Sequence, residues 1–201
     1  MAFGQRRGYS DCIRGLRARN VLSASQFAAS IDRGLNTAVD INWSRTPAGD
    51  DLYGDKLAAW RKAVGRFLRK CGVGGLTCTW VRERPTWPLN RPNAHLNCHI
   101  PDRLYADFVK NAYRFLPPDC RGNDPDAIYI QTIGSTGGDH RRRTEYLLKG
   151  AHPKAKLAIQ RKRIPQGRIL LKRCGTSEDI GLAARIKAAE AAANMVAAIP
   201  F

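Results

Sequence analysis

AHLNCHIP, residues 94–101, is the stretch on which the reading of this chain turns. As a β-strand it sends His95, Asn97 and His99 to one face and Leu96, Cys98 and Ile100 to the other, because successive side chains alternate. The apolar face reads as core. The polar face presents two imidazoles and an amide, donors of the kind that bind a divalent metal. Such a strand needs partners. LTCTWVRE at 76–83 is β-branched and aromatic and reads as a strand. A Pro-rich loop at 85–92 joins the two, so they are expected to pair antiparallel, with Glu83 brought near His95 or His99.

Working outward, residues 54–71 carry Leu57, Trp60, Val64, Phe67, Leu68 and Cys71 on one helical stripe, closed by Gly72–Gly75. Pro101 and Asp102 open a second helix with Leu104, Phe108, Ala112 and Phe115 on its buried side, ended by Pro117 and Pro118. AVDINW within 25–45 and AIYIQTIG at 127–134 read as further strands. The order β–α–β–β–α–β–α predicts an α+β fold: a small antiparallel sheet with helices packed on one face, ferredoxin-like, the other face open for a ligand. Three regions follow: a basic arm over 1–24 with five arginines against Asp11, a folded domain over 25–152, and a basic tail with an Ala-rich helix over 153–201.

The 201 residues hold 34 Lys and Arg against 17 Asp and Glu, a formal charge of +17. That excess points to a polyanionic partner, with nucleic acid first, because each phosphate contact releases counterions. None of the six cysteines forms a CxxC pair, which disfavours a cysteine zinc site and suits buried free thiols in a reducing compartment. No apolar run reaches the length of a membrane span, and no hydrophobic run follows the Arg-rich start, so a cytoplasmic protein without membrane contact is expected.

TEYLLKG at 144–150 follows a glycine-rich loop and the run Arg141, Arg142 and Arg143. On a helix Tyr146 and Lys149 share a face. With the helix expected to begin just before Tyr146, its N-terminus and the arginines favour negative charge there. A tyrosine hydroxyl acts as a covalent nucleophile when charge or a metal activates it. His140 in the loop is a general base, a phosphate contact or an ordinary loop residue. Trp80, Trp87 and Tyr129 are candidates for stacking bases, with Trp80 better suited to the core. Lys154, Lys156, Arg161, Lys162, Arg163, Lys172 and Arg173 belong to an acid-free basic stretch expected to contact phosphates.

A His-bearing strand followed by helix, strand and Tyr-x-x-Lys resembles the HUH endonuclease superfamily, which includes rolling-circle replication initiators of phages and plasmids. The resemblance covers about residues 30–150. The family strand carries His-x-His, whereas this chain has His95-Leu96-Asn97 with His99 two residues on. The resemblance implies Mg²⁺ or Mn²⁺ held by His95, His99 and Asn97 or Glu83. It implies attack by Tyr146 on single-stranded or hairpin DNA to give a 5′-phosphotyrosine and a free 3′-OH. Lys149 would offset charge on the phosphate or lower the Tyr146 pKa, and a host helicase would be a further partner. Three alternatives stand beside it: a catalytically decayed DNA-binding protein on the same scaffold, a basic RNA-binding protein, and a single-tyrosine transposase.

Overall fold

The computed structural model describes residues 8–51, 54–85, 91–134, 137–155, 157, 164 and 167–197. Its strands are β1 (Tyr9–Ser10), β2 (Thr37–Asn42), β3 (Cys78–Glu83), β4 (Asn93–Cys98), β5 (Ile128–Thr132), β6 (Ile169–Leu170) and β7 (Cys174–Thr176). Its helices are α1 (Gly15–Ser30), α2 (Asp55–Lys70), α3 (Asp102–Asn111), α4 (Gly137–Leu147) and α5 (Leu182–Ala197).

Local chemistry sets the helix limits. Gly54, at φ 79°, precedes α2, where a Cβ would stand 2.8 Å from the Arg82 guanidinium. The Asp51 carboxylate accepts from the Lys56 and Leu57 amides at 3.1 and 3.2 Å and so satisfies free donors of the first turn. Asp55 at the start of α2, and Arg69 and Lys70 at its end, match the helix dipole. Leu57, Trp60, Val64 and Leu68 form the buried stripe. In α3 the buried pair is Leu104 and Phe108.

The main sheet has the order β5-β2-β4-β3-β7, with every neighbouring pair antiparallel. From Thr37 to Thr132 the elements run β-α-β-β-α-β, the split β-α-β arrangement of ferredoxin-like sheets. The protein is therefore α+β, as the alternation of patterns predicts. Val39, Leu96 and Trp80 lie in one cross-strand row on the face that α2 and α3 cover. Trp43, Trp60, Phe108 and Leu116 complete that core, each large side chain contributing about 1.5–3 kcal/mol by burial.

The opposite face is not wholly open. Ile13, Ala18 and Val21 from the N-terminal region meet Leu147, Leu148 and Ala151 over Val81 and Cys174. Helix α1 thus runs across the expected arm boundary and packs through small residues, which gave no strong apolar stripe in the sequence. The C-terminal region likewise joins the sheet: β7 pairs with β3, and β6 pairs with β1 in a separate two-stranded ribbon.

Arg173, expected to contact phosphate, is only 1% exposed. Its guanidinium donates to Ser10 Oγ at 3.0 Å, to the Ser10 and Gly167 carbonyls, and to the Arg82 carbonyl at 3.4 Å. It ties the ribbon to the sheet. Arg173→Ala is expected to destabilise the fold by about 1–3 kcal/mol, because buried carbonyls lose their donor. Urea unfolding checks this. A loss below about 0.5 kcal/mol would refute the structural role.

Candidate active site

The sheet register assembles the site. Asp40 on β2 and Val81 on β3 lie directly opposite His95 on β4, so all three share one face. His95 is 6% exposed. Its Nδ1 lies 2.7 Å from Asp40 Oδ1, and its Nε2 lies 3.1 Å from Glu83 Oε2. Glu83 Oε2 also lies 2.8 Å from Lys149 Nζ. Arg143 donates to Asp40 Oδ1 at 2.6 Å and to Asn97 Oδ1 at 3.3 Å. A continuous ionic chain therefore runs from Arg143 through Asp40, His95 and Glu83 to Lys149.

Tyr146 sits on this chain. Its ring meets the His95 ring edge-to-face, with centroids 5.1 Å apart. Lys149 Nζ is 3.7 Å from the Tyr146 ring centroid and Arg143 Cζ is 4.8 Å away, both within cation–π range. Tyr146, Arg142, Arg143, Asp139, Gln131 and Gly134 border a cleft of about 320 Å³.

The structure changes several sequence expectations. Helix α4 begins at Gly137, so Tyr146 lies in its last turn and Lys149 in the 3-10 turn Leu148–Gly150. Gly137 and Gly138, read as loop, are the first helical residues, with Asp139 in the first turn. Helix-dipole support for negative charge at Tyr146 is therefore absent, and the nearby cations supply it instead. His99 shares strand parity with His95 but follows the end of β4, and its Nδ1 lies 2.9 Å from the Gly34 carbonyl. It does not join the site. The Asn97 amide oxygen is taken up by Arg143. The arginine run divides: Arg141 pairs with Glu145 at 2.9 Å, Arg142 with Asp139 at 3.1 Å, and Arg143 turns inward.

Of the other expected residues, His140 lies in α4 beside a cleft with Asn36 and Tyr105. Trp80 is core, while Tyr129 is exposed on the same face as Asp40. Lys154 and Lys172 are exposed. Lys156, Arg161, Lys162, Arg163 and Trp87 lie outside the described residues. Sequence reasoning missed Asp40. Its signal was available: a lone carboxylate between Val39 and Ile41 in the strand Thr37–Asn42.

Electrostatics follow from the contacts. Burial alone would push the His95 imidazole down, but the bonds to Asp40 and Glu83 outweigh it and hold it above its ordinary 6.5. Burial would raise the Asp40 and Glu83 carboxyls, yet His95, with Arg143 on one and Lys149 on the other, holds them below their ordinary 3.8 and 4.5. The His95 contribution to stability is full below pH 6.5 and fades as pH rises through its elevated pKa. The carboxylate contributions are full above pH 4.5 and fade as pH falls through their depressed values. In chelator, the stability gap between wild type and His95→Gln should therefore be widest between pH 4.5 and 6.5 and shrink on the alkaline side. Urea midpoints across pH measure it. A gap that stays constant from acid to alkaline pH would contradict the assignment.

The residues present fit a hard divalent cation at His95 and Glu83. Both ring nitrogens of His95 face carboxylates, Nδ1 toward Asp40 and Nε2 toward Glu83, so Nε2 would have to exchange its Glu83 contact for the ion, with Asp40 then orienting the ring. Glu83 Oε1 is buried and has no hydrogen-bond partner among the described residues. Also among the described residues, no three His, Cys, Asp or Glu side chains are grouped so as to hold a metal ion. Such a cation would thus have few protein ligands and take its other oxygens from water and phosphate, as Mg²⁺ commonly does.

The fold and site define an α+β protein with a tyrosine set in a buried ionic cluster. No family model matches the chain, and no curated protein or solved structure matches it either. None of the helices among the described residues is long and apolar enough to cross a membrane.

Proposed function

We propose that this protein is a metal-dependent, single-tyrosine endonuclease that nicks single-stranded DNA in replication initiation. The observation that carries the reading is Tyr146 against His95, flanked by Lys149 and Arg143 at the edge of a cleft. Tyr146 Oη attacks the scissile phosphorus and gives up its proton. The bond from phosphorus to the 3′ oxygen breaks, that oxygen takes up a proton, and the 5′ phosphate stays on the tyrosine. Lys149 and Arg143 offset charge on the phosphate. His95 and Glu83 would hold Mg²⁺ or Mn²⁺, with Asp40 fixing the imidazole. When bound, that ion supplies Lewis-acid polarisation of a phosphate oxygen. Tyr129, 59% exposed on the same face, offers a stacking surface to a flanking base. The six free thiols accord with a reducing, cytoplasmic compartment.

One observation favours a second reading, DNA binding without cleavage. Both carboxylates and the Asn97 amide already have cationic partners. A denaturing gel of protein incubated with single-stranded origin-type DNA separates the two. A covalent adduct that requires Mn²⁺ and disappears with chelator supports the nuclease. Salt-dependent binding with no adduct across all tested sequences supports the second reading.

A further inference from the structure

A second cleft, of about 540 Å³, lies between the β1–β6 ribbon and the start of α1. Tyr9, Arg14, Arg17, Leu171 and Lys172 border it, with buried Arg173 beneath. Tyr9 is 60% exposed, and Arg14, Arg17 and Lys172 are exposed as well. None of these three cations forms an ion pair among the described residues, and no acid lines the cleft. Like charges gathered with only the exposed Asp11 carboxylate nearby, beside an exposed aromatic ring, are costly unless an anion with a flat apolar part neutralises them. Arg168 lies 6.0 Å from the Tyr9 ring centroid and adds a further positive group. Leu171 holds φ 62°, a left-handed conformation rare for a branched residue, at the turn that presents Lys172.

The cleft is joined to the active site by backbone. Ile13 N donates to the Gly150 carbonyl at 2.8 Å, and His152 N donates to the Ile13 carbonyl at 2.9 Å. Gly150 directly follows Lys149. The chain that leaves the Tyr9 cleft therefore runs straight to the segment carrying Lys149.

We infer that this cleft is a second single-stranded DNA subsite, in which an unpaired base stacks on Tyr9 and Arg14, Arg17 and Lys172 hold the adjoining phosphates. Stacking on a Tyr face tolerates any base, so the subsite grips the strand without reading its sequence. The inference shares with the proposed function only the identity of the ligand, and it needs no cleavage.

The test is fluorescence anisotropy of a labelled oligo-dT strand, with the full chain carrying Tyr146→Phe so that no covalent product forms. Tyr9→Ala should weaken binding about 5- to 150-fold, the range for losing one stacked base. Tyr9→Phe should bind like the parent, since the ring is kept. Arg14→Gln with Arg17→Gln should lower the salt slope by about 1.4, at about 0.7 per phosphate contact on a single strand. Duplex competitor should displace poorly. Unchanged affinity in Tyr9→Ala together with an unchanged slope in the arginine pair would overturn the subsite. Tyr9-dependent binding that prefers oligo-U to oligo-dT would overturn its assignment to DNA. Adduct formation in protein with native Tyr146 is scored separately. Its loss with Tyr9-dependent binding retained strikes the nuclease reading alone, and its presence with Tyr9→Ala binding unchanged strikes the subsite alone.

Discussion

On the proposed nicking mechanism, Tyr146→Phe is expected to abolish the covalent protein–DNA adduct and to lower nicking by a factor on the order of 10⁴ or more, as loss of a nucleophile does elsewhere. The substitution removes one oxygen and keeps the ring. The edge-to-face contact with His95 and the two cations over the ring persist. Stability should therefore change by less than about 1 kcal/mol, and salt-dependent DNA binding should remain. That separation gives the result its meaning: chemistry is lost while fold and affinity stand. A Phe variant that still forms the adduct would transfer the nucleophile to another residue and overturn the proposal. The measurement is a denaturing gel of end-labelled single-stranded DNA, run beside thermal melts of both proteins.

Glu83→Ala has the largest expected effect on stability. Glu83 is 3% exposed and faces both the Lys149 ammonium and His95 Nε2. Its removal leaves a buried ammonium, and an imidazole whose pKa is held above its ordinary value, with less compensation. Breaking such a pair from one side costs about 3–5 kcal/mol. Glu83→Gln keeps the volume and an acceptor for Lys149 and should cost less, while on the proposed mechanism it still loses the cation-dependent adduct. A cycle with Lys149→Met separates the causes. The double variant should be more stable than the sum of the two single losses predicts, because Met leaves no charge to strand. Urea unfolding of the four proteins in chelator provides the numbers. Strict additivity, or a loss below about 1 kcal/mol for Glu83→Ala, would show that the ionic chain does not support the fold.

Much of the architecture was legible because it is local. The stripe on α2, the alternation on β4 and the proline and glycine punctuation each follow from residue spacing. They fix an α+β order with β3 and β4 antiparallel. Consecutive antiparallel strands leave little choice of neighbour, so spacing brings Glu83 near His95 or His99, and the structure selects His95. Helix α1 was less legible, since its buried residues include Ala18, Ala24 and Ala28 and its face is set by close approach rather than apolar bulk.

Composition and spacing suffice for the strong positive charge, the β–α–β–β–α–β order, and the candidacy of His95, Glu83, Tyr146 and Lys149. Only the tertiary structure decided which of these meet. It placed β2 beside β4 and so brought Asp40 to His95 across 55 positions of chain. It carried His99 past the end of its strand to the Gly34 carbonyl, and it turned Arg143 inward while leaving Arg142 at the surface. It buried Arg173 under a ribbon whose other half is the N-terminal segment. The physical reason is the same in each case. Strand order and the burial of a charge depend on which distant segments satisfy one another's backbone and ionic groups, and spacing within a segment carries no information about that.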